Sequence, residues 1–261
     1  GRTDMEDRLA LLADRAVRGA IGLELGREIE HHTRIGSTQD RARQLADAGA
    51  GPALVVAAEQ TAGRGRRGRP WLAPAGTALL ASWLFRPLPG DPALFGLLAG
   101  VAVARALAAL GVGDARLKWP NDVQLGGRKV AGTLADAITG ATGGAMILGI
   151  GVNVRHRASD LGDLASTATS LAIEGHDVDR LALLARLTRE LDRIAHDAAE
   201  RRDAVEAWRE RSSVLGREVE VRDAEGTSVR GLARELADDG ALVLETPYGA
   251  QRILAGEVSL V

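Results

Sequence analysis

Residues 63 to 71 read Gly63-Arg64-Gly65-Arg66-Arg67-Gly68-Arg69-Pro70-Trp71, four arginines and three glycines in nine positions. Such a stretch is neither a core strand nor a core helix. Glycine weakens both elements, and guanidinium groups are not buried without partners. It reads as a mobile loop suited to wrapping a polyanion such as a triphosphate. Arginine grips phosphate and carboxylate oxygens through two N–H groups at once, and glycines let backbone N–H groups approach the same oxygens. A solvated basic loop or a nucleic-acid arm has the same composition, so the loop alone does not fix a function. The segment also matches Gly-x-Gly-x-x-Gly after a strand. Pro70-Trp71-Leu72-Ala73-Pro74 blocks the helix that a dinucleotide-binding turn requires, so that match is accidental.

Outward from the loop, residues 53–58 form an apolar strand before it and residues 77–85 another after it. Upstream, residues 28–35 read as a strand. Ser37 is placed to cap a helix that ends at Gly49 or Gly51. Residues 7–18 carry helical apolar spacing. Downstream, residues 92–110 form a long Ala/Leu helix stopped by Gly111. Residues 115–119 and 124–137 are strands around a turn at Pro120-Asn121-Asp122, and Gly126-Gly127 signals a hairpin. Residues 144–154 are a strand, and residues 169–174 and 179–211 are helical. After Gly216 the texture changes to four short alternating strands separated by turns, the mark of a small β-barrel.

The chain has 261 residues, with 33 lysines and arginines together, and only Lys118 and Lys129 are lysine. A compact ammonium on a flexible stem differs chemically from a guanidinium fork, so these two sites draw attention. Both lie in one segment, Lys118-Trp119-Pro120-Asn121-Asp122 through Arg128-Lys129-Val130-Ala131-Gly132. Net charge is −2 and the isoelectric point is about 6.3, unlike a general nucleic-acid binder. There is no cysteine, which excludes disulfides, thiolate metal sites and thiol nucleophiles. No signal peptide and no apolar run of membrane-spanning length is found, which points to a cytoplasmic protein. Met5 reads as the native start, with Gly1 to Asp4 an added remnant. No Walker A pattern is present.

Residues 63–71, 118–122, 128–132 and 149–153, in that order and spacing, resemble the biotin–protein ligases. Ser37-Thr38 before the first central helix agrees. The resemblance covers residues 29–261 and implies an α+β fold: a mixed sheet with helices, like the catalytic core of class II aminoacyl-tRNA synthetases, plus a small C-terminal SH3-like barrel. The implied division is an N-terminal helical extension over 1–28, a catalytic domain over 29–214 and the barrel over 215–261. Some members carry a winged helix-turn-helix and bind DNA; about 28 residues are too few for one, so no DNA partner is expected.

The implied activity is ATP-dependent formation of biotinyl-5′-AMP, then transfer of biotin to a lysine of a biotin carboxyl carrier domain of a carboxylase, with Mg²⁺ accompanying ATP. The implied oligomeric state is a monomer or a weak homodimer, and no membrane partner is implied. Residue by residue, the resemblance implies catalytic roles for Lys129, Arg64 and Arg66. It implies biotin contacts at Ser37, Thr38, Gln60, Gly63, Arg64, Lys129, Gly132 and Gly151. Contacts to ATP or the adenylate fall to Arg66, Arg67, Arg69, Trp71, Asn121, Lys129 and Asn153, and Asp122 is the metal candidate.

Four competing readings are weaker. Octanoyltransferases of the same superfamily use a cysteine, and this chain has none. A lipoate ligase does not account for the arginine-rich loop. An RNA-binding arm calls for interleaved aromatics and a basic isoelectric point. An inactive biotin sensor does not account for Lys129 beside the loop. Trp119 reads as core, Trp208 as helix packing, and the histidines lack metal-ligand spacing.

Overall fold

The computed structural model describes residues 8–140 and 144–261. Met5 and the four residues before it lie outside the described residues, as does Asp7. The described residues build two sheets. The larger has seven strands: β1 Glu28–His32, β2 Ala53–Ala57, β3 Ala78–Phe85, β4 Arg116–Lys118, β5 Asp122–Leu125, β6 Arg128–Ile138 and β7 Ala145–Asn153. Their spatial order is β1-β2-β3-β7-β6-β5-β4. Only β1 and β2 run parallel. The central strands β2 and β3 are buried at every position, which explains why they read as continuous apolar runs and not as alternation.

Helix α1 Arg15–Leu25 packs beside β1, and α2 Thr38–Asp47 covers one face of the sheet through Ala42 and Ala46. The other face is covered by α3 Pro92–Ala109. Helix α4 Ala158–Leu161 is a single short turn. Helices α5 Arg180–His196 and α6 Ala198–Arg211 pack outside α3. By length and composition α3 could cross a membrane, contrary to the sequence expectation, yet it packs against β6, β7, α5 and α6 as the core helix of this fold.

The smaller sheet contains β8 Glu218–Arg222, β9 Ser228–Leu236, β10 Leu242–Thr246, β11 Gly249–Ile253 and β12 Glu257–Leu260, all antiparallel in the order β11-β10-β9-β8-β12. It is docked on the larger unit: the Trp119 indole N–H donates to the Gly240 carbonyl (3.0 Å), and the Arg209 guanidinium donates to the Leu236 carbonyl (2.7 Å). Trp119 and Trp208 are buried, as read from the sequence.

The structure departs from the sequence reading at four places. Residues 8–13 form a 3₁₀ turn and the helix starts only at Arg15, because Asp14 is extended and its carboxylate accepts from the N–H groups of Ala16 and Val17. Asp197 breaks the expected helix over 179–211 in the same way, capping α6 through Ala199 and Glu200. Residues 169–170 are irregular and 171–175 form a turn: Ser170 Oγ donates to the His156 carbonyl and accepts from Ile173 N–H, and such local bonds compete with a helix. The C-terminal sheet has a fifth strand, β12, whose Glu257-Val258-Ser259-Leu260 alternates but spans only 4 residues, too short a run to stand out in the sequence.

Candidate active site

The hairpin joining β5 to β6 turns through Gly126 and Gly127, both with positive φ (55° and 77°), as a tight two-residue connection requires. It sets Lys129 at the start of β6, opposite Gln124. The backbone of Lys129 is held on its other side. Its N–H donates to the Thr167 carbonyl and its carbonyl accepts from Thr169 N–H, both at 2.8 Å. The ammonium sits 2.7 Å from the Asp122 carboxylate and 5.5 Å from the centre of the Trp71 ring. Gly132 lies further along β6, and a Cβ there would lie 3.1 Å from both the Lys129 ammonium and the Trp71 ring, so any side chain at this position would crowd them.

The arginine loop folds back on itself. Trp71 N–H donates to the Gly63 carbonyl (2.9 Å) and Gly65 N–H to the Arg69 carbonyl (2.7 Å), with one 3₁₀ turn at Arg66–Gly68 between them. Arg67 has φ 57°, the one positive φ outside glycine among the described residues. Gly63 has no room for a methyl group, which would meet the Trp71 carbonyl at 2.6 Å. The four guanidinium groups then fan out. Arg64 pairs with Asp40 on α2. Arg66 reaches Asn121 Oδ1 (3.4 Å) and the Gly256 carbonyl (3.5 Å). Arg67 donates to the Arg222 carbonyl (3.1 Å), and Arg69 pairs with Glu257. Burial lowers the pKa of Arg66, with the neighbouring Arg67 acting in the same direction. The hydrogen bond from Arg69 holds the Glu257 carboxyl below its ordinary value.

These elements enclose a cavity of about 620 Å³. Of the residues expected from the sequence, Ser37, Thr38, Gln60, Arg64, Arg66, Arg69, Trp71, Asn121, Asp122, Lys129, Gly132, Gly151 and Asn153 line it. Gly63 lies beneath Trp71, and Arg67 turns toward the C-terminal sheet; neither is in the lining. Trp71 lies over the glycines of β6 and β7, and its indole N–H has no partner. Asn121 is held by donating to the Thr133 carbonyl (2.8 Å), Asn153 by donating to the Thr169 carbonyl (3.0 Å).

Several lining residues escaped the sequence reading. Ser82 is the single hydroxyl in the apolar strand β3, and that isolation was a usable signal. Gln39 follows Ser37-Thr38 directly and is buried with them. Glu257 comes from the C-terminal sheet, some 190 positions from its arginine partners, and nothing local marks it.

Residues 33–153 match the biotin/lipoate A/B protein ligase family, and residues 214–261 match the biotin protein ligase C terminal domain. The biotin–[acetyl-CoA-carboxylase] ligase of Paracoccus denitrificans is 38% identical, over 86% of this chain and 97% of that protein. The corresponding ligase of Mycobacterium tuberculosis is 32% identical, over 98% of each. The bifunctional ligase/repressor BirA of Escherichia coli is 35% identical over 78% of this chain, and the match spans 65% of BirA's length. Among solved structures, the biotin protein ligase from Aquifex aeolicus in complex with biotin and ATP superposes with a TM-score of 0.74 at 28% identity, covering 89% of this chain and 98% of that one.

Proposed function

The chain belongs to the biotin protein ligase family, and on that premise we infer that it joins biotin to protein in two steps. In the first, the biotin carboxylate attacks the α-phosphate of ATP, giving biotinyl-5′-AMP and releasing pyrophosphate. In the second, the side-chain amine of a lysine on a biotin carboxyl carrier domain attacks the acyl carbon of the mixed anhydride, and AMP leaves. The observation that carries this reading is the Lys129 ammonium, 2.7 Å from Asp122, inside a cavity also lined by Arg64, Arg66 and Arg69.

The first step brings an anion to an anion. Two unit negative charges 4 Å apart repel by about 4 kcal/mol at an effective dielectric constant of about 20. Cations already fixed at that place remove the repulsion without reorganising when the bond forms. Lys129 fits the role of the cation that follows the oxygen passing from carboxylate to phosphate. Asp122 holds the ammonium in place until substrate oxygens replace it. Arg64, Arg66 and Arg69 hold the phosphates, and the closed loop keeps water from the adenylate. Trp71 stacks on the adenine when the loop closes over ligand, with Asn121 and Asn153 on the adenylate. Ser37, Thr38 and Gln60 take the ureido end of biotin, with Gly63, Gly132 and Gly151 giving backbone access.

Mg²⁺ bound by one or two carboxylates plus substrate phosphates suits this cavity, whose acidic lining is Asp122 and Glu257. Among the described residues, no group of three or more acidic or histidine side chains forms a self-sufficient metal site. A bound Mg²⁺ would supply neutralisation of phosphate charge, and Asp122 is the residue we assign to it.

Turnover of ATP labelled in the α-phosphate tests the reading, with biotin or lipoate and with or without a carrier domain. Labelled adenylate with biotin alone, and labelled AMP once the carrier is added, is the expected result. Turnover with lipoate in preference to biotin overturns it.

A further inference from the structure

Behind the proposed ureido contacts lies a hydrogen-bonded chain with a fixed direction. Gln39, Thr38 and Ser82 are each at most 4% exposed. The Gln39 side-chain amide donates to Asp136 Oδ2 (3.1 Å) and to the Ile147 carbonyl (3.3 Å). Both partners are acceptors only, so the NH₂ end of the amide is identified and Oε1 must face the other way. There it accepts from the Ser82 hydroxyl at 2.9 Å. That bond uses Ser82's only hydrogen. Thr38 Oγ1, 2.9 Å from Ser82 Oγ and 3.0 Å from Gln60 Oε1, is therefore the donor toward either of them and never the acceptor from Ser82. Gln60 Oε1 also accepts from Thr38 N–H (2.8 Å), which leaves its NH₂ group turned away from Thr38.

The consequence is a polarity on the cavity wall. The hydroxyl oxygens of Thr38 and Ser82 have spent their hydrogens on the protein, so they offer lone pairs. Gln60 offers hydrogens. A cyclic urea, with N–H beside C=O, is complementary to that pattern. A ring atom that only accepts, placed where the N–H belongs, meets lone pairs. The sheet is shaped for this arrangement. Gly149 pairs with Ser82 across β3 and β7, and a Cβ on it would lie 2.5 Å from Gln39 Oε1.

We infer that Gln39, oriented by Asp136 and the Ile147 carbonyl, is a specificity-determining positioning residue: it locks the Ser82 and Thr38 hydroxyls as acceptors and so selects a ligand N–H. This rests on the biotin reading above. Gln39 lines the same cavity but acts through the two hydroxyls. Without its Oε1, the Ser82 hydrogen is free to turn toward Thr38 or the ligand.

The test compares the dissociation constants of biotin and of its two cyclic carbamate analogues, in which one ureido N–H is replaced by oxygen. Calorimetry on the full chain supplies them. Wild type should reject the carbamate whose oxygen faces the hydroxyls by about 100-fold or more, since a site built to bond an N–H leaves its own groups unpaired otherwise. Gln39→Met, similar in shape but unable to accept from Ser82, should cut that ratio by at least about tenfold, because a freed hydroxyl donates to the ring oxygen. A purely structural role would weaken both ligands alike and leave the ratio unchanged, which overturns the inference. If Gln39→Met fails to melt cooperatively, Asp136→Ala carries the test. It removes one of two acceptors at a half-exposed position and should lower the ratio by about threefold. Asp136→Asn, which keeps an oxygen for Gln39, should restore the wild-type ratio. Wild type that binds no biotin overturns the biotin reading itself. Wild type that binds biotin, with unaltered discrimination in the variants, overturns only the role of Gln39.

Discussion

Trp71 packs against Gly151 so closely that a methyl group on the glycine would lie 2.6 Å from the indole. The same ring bears on Gly132, and both glycines belong to the floor proposed for biotin. An apolar ring thus fills space that the substrate requires, so binding must move it. Adding biotin should therefore change the fluorescence of Trp71. Trp83 and Trp208 are buried and outside the cavity lining, while Trp119 borders the cavity but is only 2% exposed and is fixed by its bond to the Gly240 carbonyl. Trp71→Phe should lose most of the biotin-dependent change. A variant that keeps the full change would show that another tryptophan reports binding and that Trp71 does not move.

Lys129 is partly exposed and paired with Asp122, so its removal should spare the fold. Lys129→Ala should shift unfolding by no more than about 0.5 kcal/mol, as for surface substitutions away from core features. Adenylate formation should fall by at least about 100-fold, the usual loss when one preorganised charge-stabilising donor goes. Lys129→Arg should not restore it. The ammonium lies between Asp122 at 2.7 Å and a wall where even a Gly132 Cβ would approach to 3.1 Å, which leaves little room for a planar fork. Pyrophosphate release and urea unfolding measure the two quantities separately; near-normal release by the alanine variant would remove Lys129 from the chemistry.

What the sequence disclosed follows from how local each signal is. The Ser37 cap, the Gly126-Gly127 turn and the apolar runs of β2 and β3 are set by neighbours in the chain, and they were legible. The lysine scarcity led directly to Lys129, because one unusual residue type stands out in a list. Breaks in helices were missed where one aspartate changes role. Asp14 and Asp197 look like ordinary helix-surface residues until their backbones turn extended and their carboxylates cap the next turn. Charge in a loop does not say which way each guanidinium points: Arg67 donates to the Arg222 carbonyl, 155 positions away, and no local spacing reveals that contact. The Gln39–Ser82 contact spans two elements, so no sequence spacing reveals it.

His156 is 1% exposed, and burial lowers its pKa, with Asp160 opposing weakly. The folded chain therefore takes up a proton less readily there than the unfolded chain, whose histidine titrates near pH 6.5. The unfolded state binds more protons below that pH, so stability is full above about pH 6.5 and is lost as pH falls below it. His31 acts in the same direction through burial. Urea midpoints at neutral and mildly acidic pH should differ in wild type, and His156→Gln should reduce that difference while leaving the share of His31. An unchanged pH dependence in the variant would mean that His156 is readily protonated in the folded protein.

Glu257 tethers the arginine loop to the C-terminal sheet: it pairs with Arg69 and lies 3.8 Å from Arg67. A single, partly exposed carboxylate is a modest partner for these cations, and phosphate oxygens bind guanidinium in the same bidentate way with more charge. The tether thus holds the loop in the free protein and yields when nucleotide arrives. Trypsin, which cuts after arginine, reads this directly, because cleavage within residues 63–71 needs the loop to open. Biotin with ATP should slow that cleavage in the wild type. Glu257→Gln should raise cleavage of the free protein by up to about fivefold, the open population gained when an exposed pair contributing about 1 kcal/mol is lost. With biotin and ATP bound, the variant and wild type should be cut at similar slow rates, since the phosphates then hold the arginines. If the free proteins are cleaved equally fast, Glu257 does not restrain the loop.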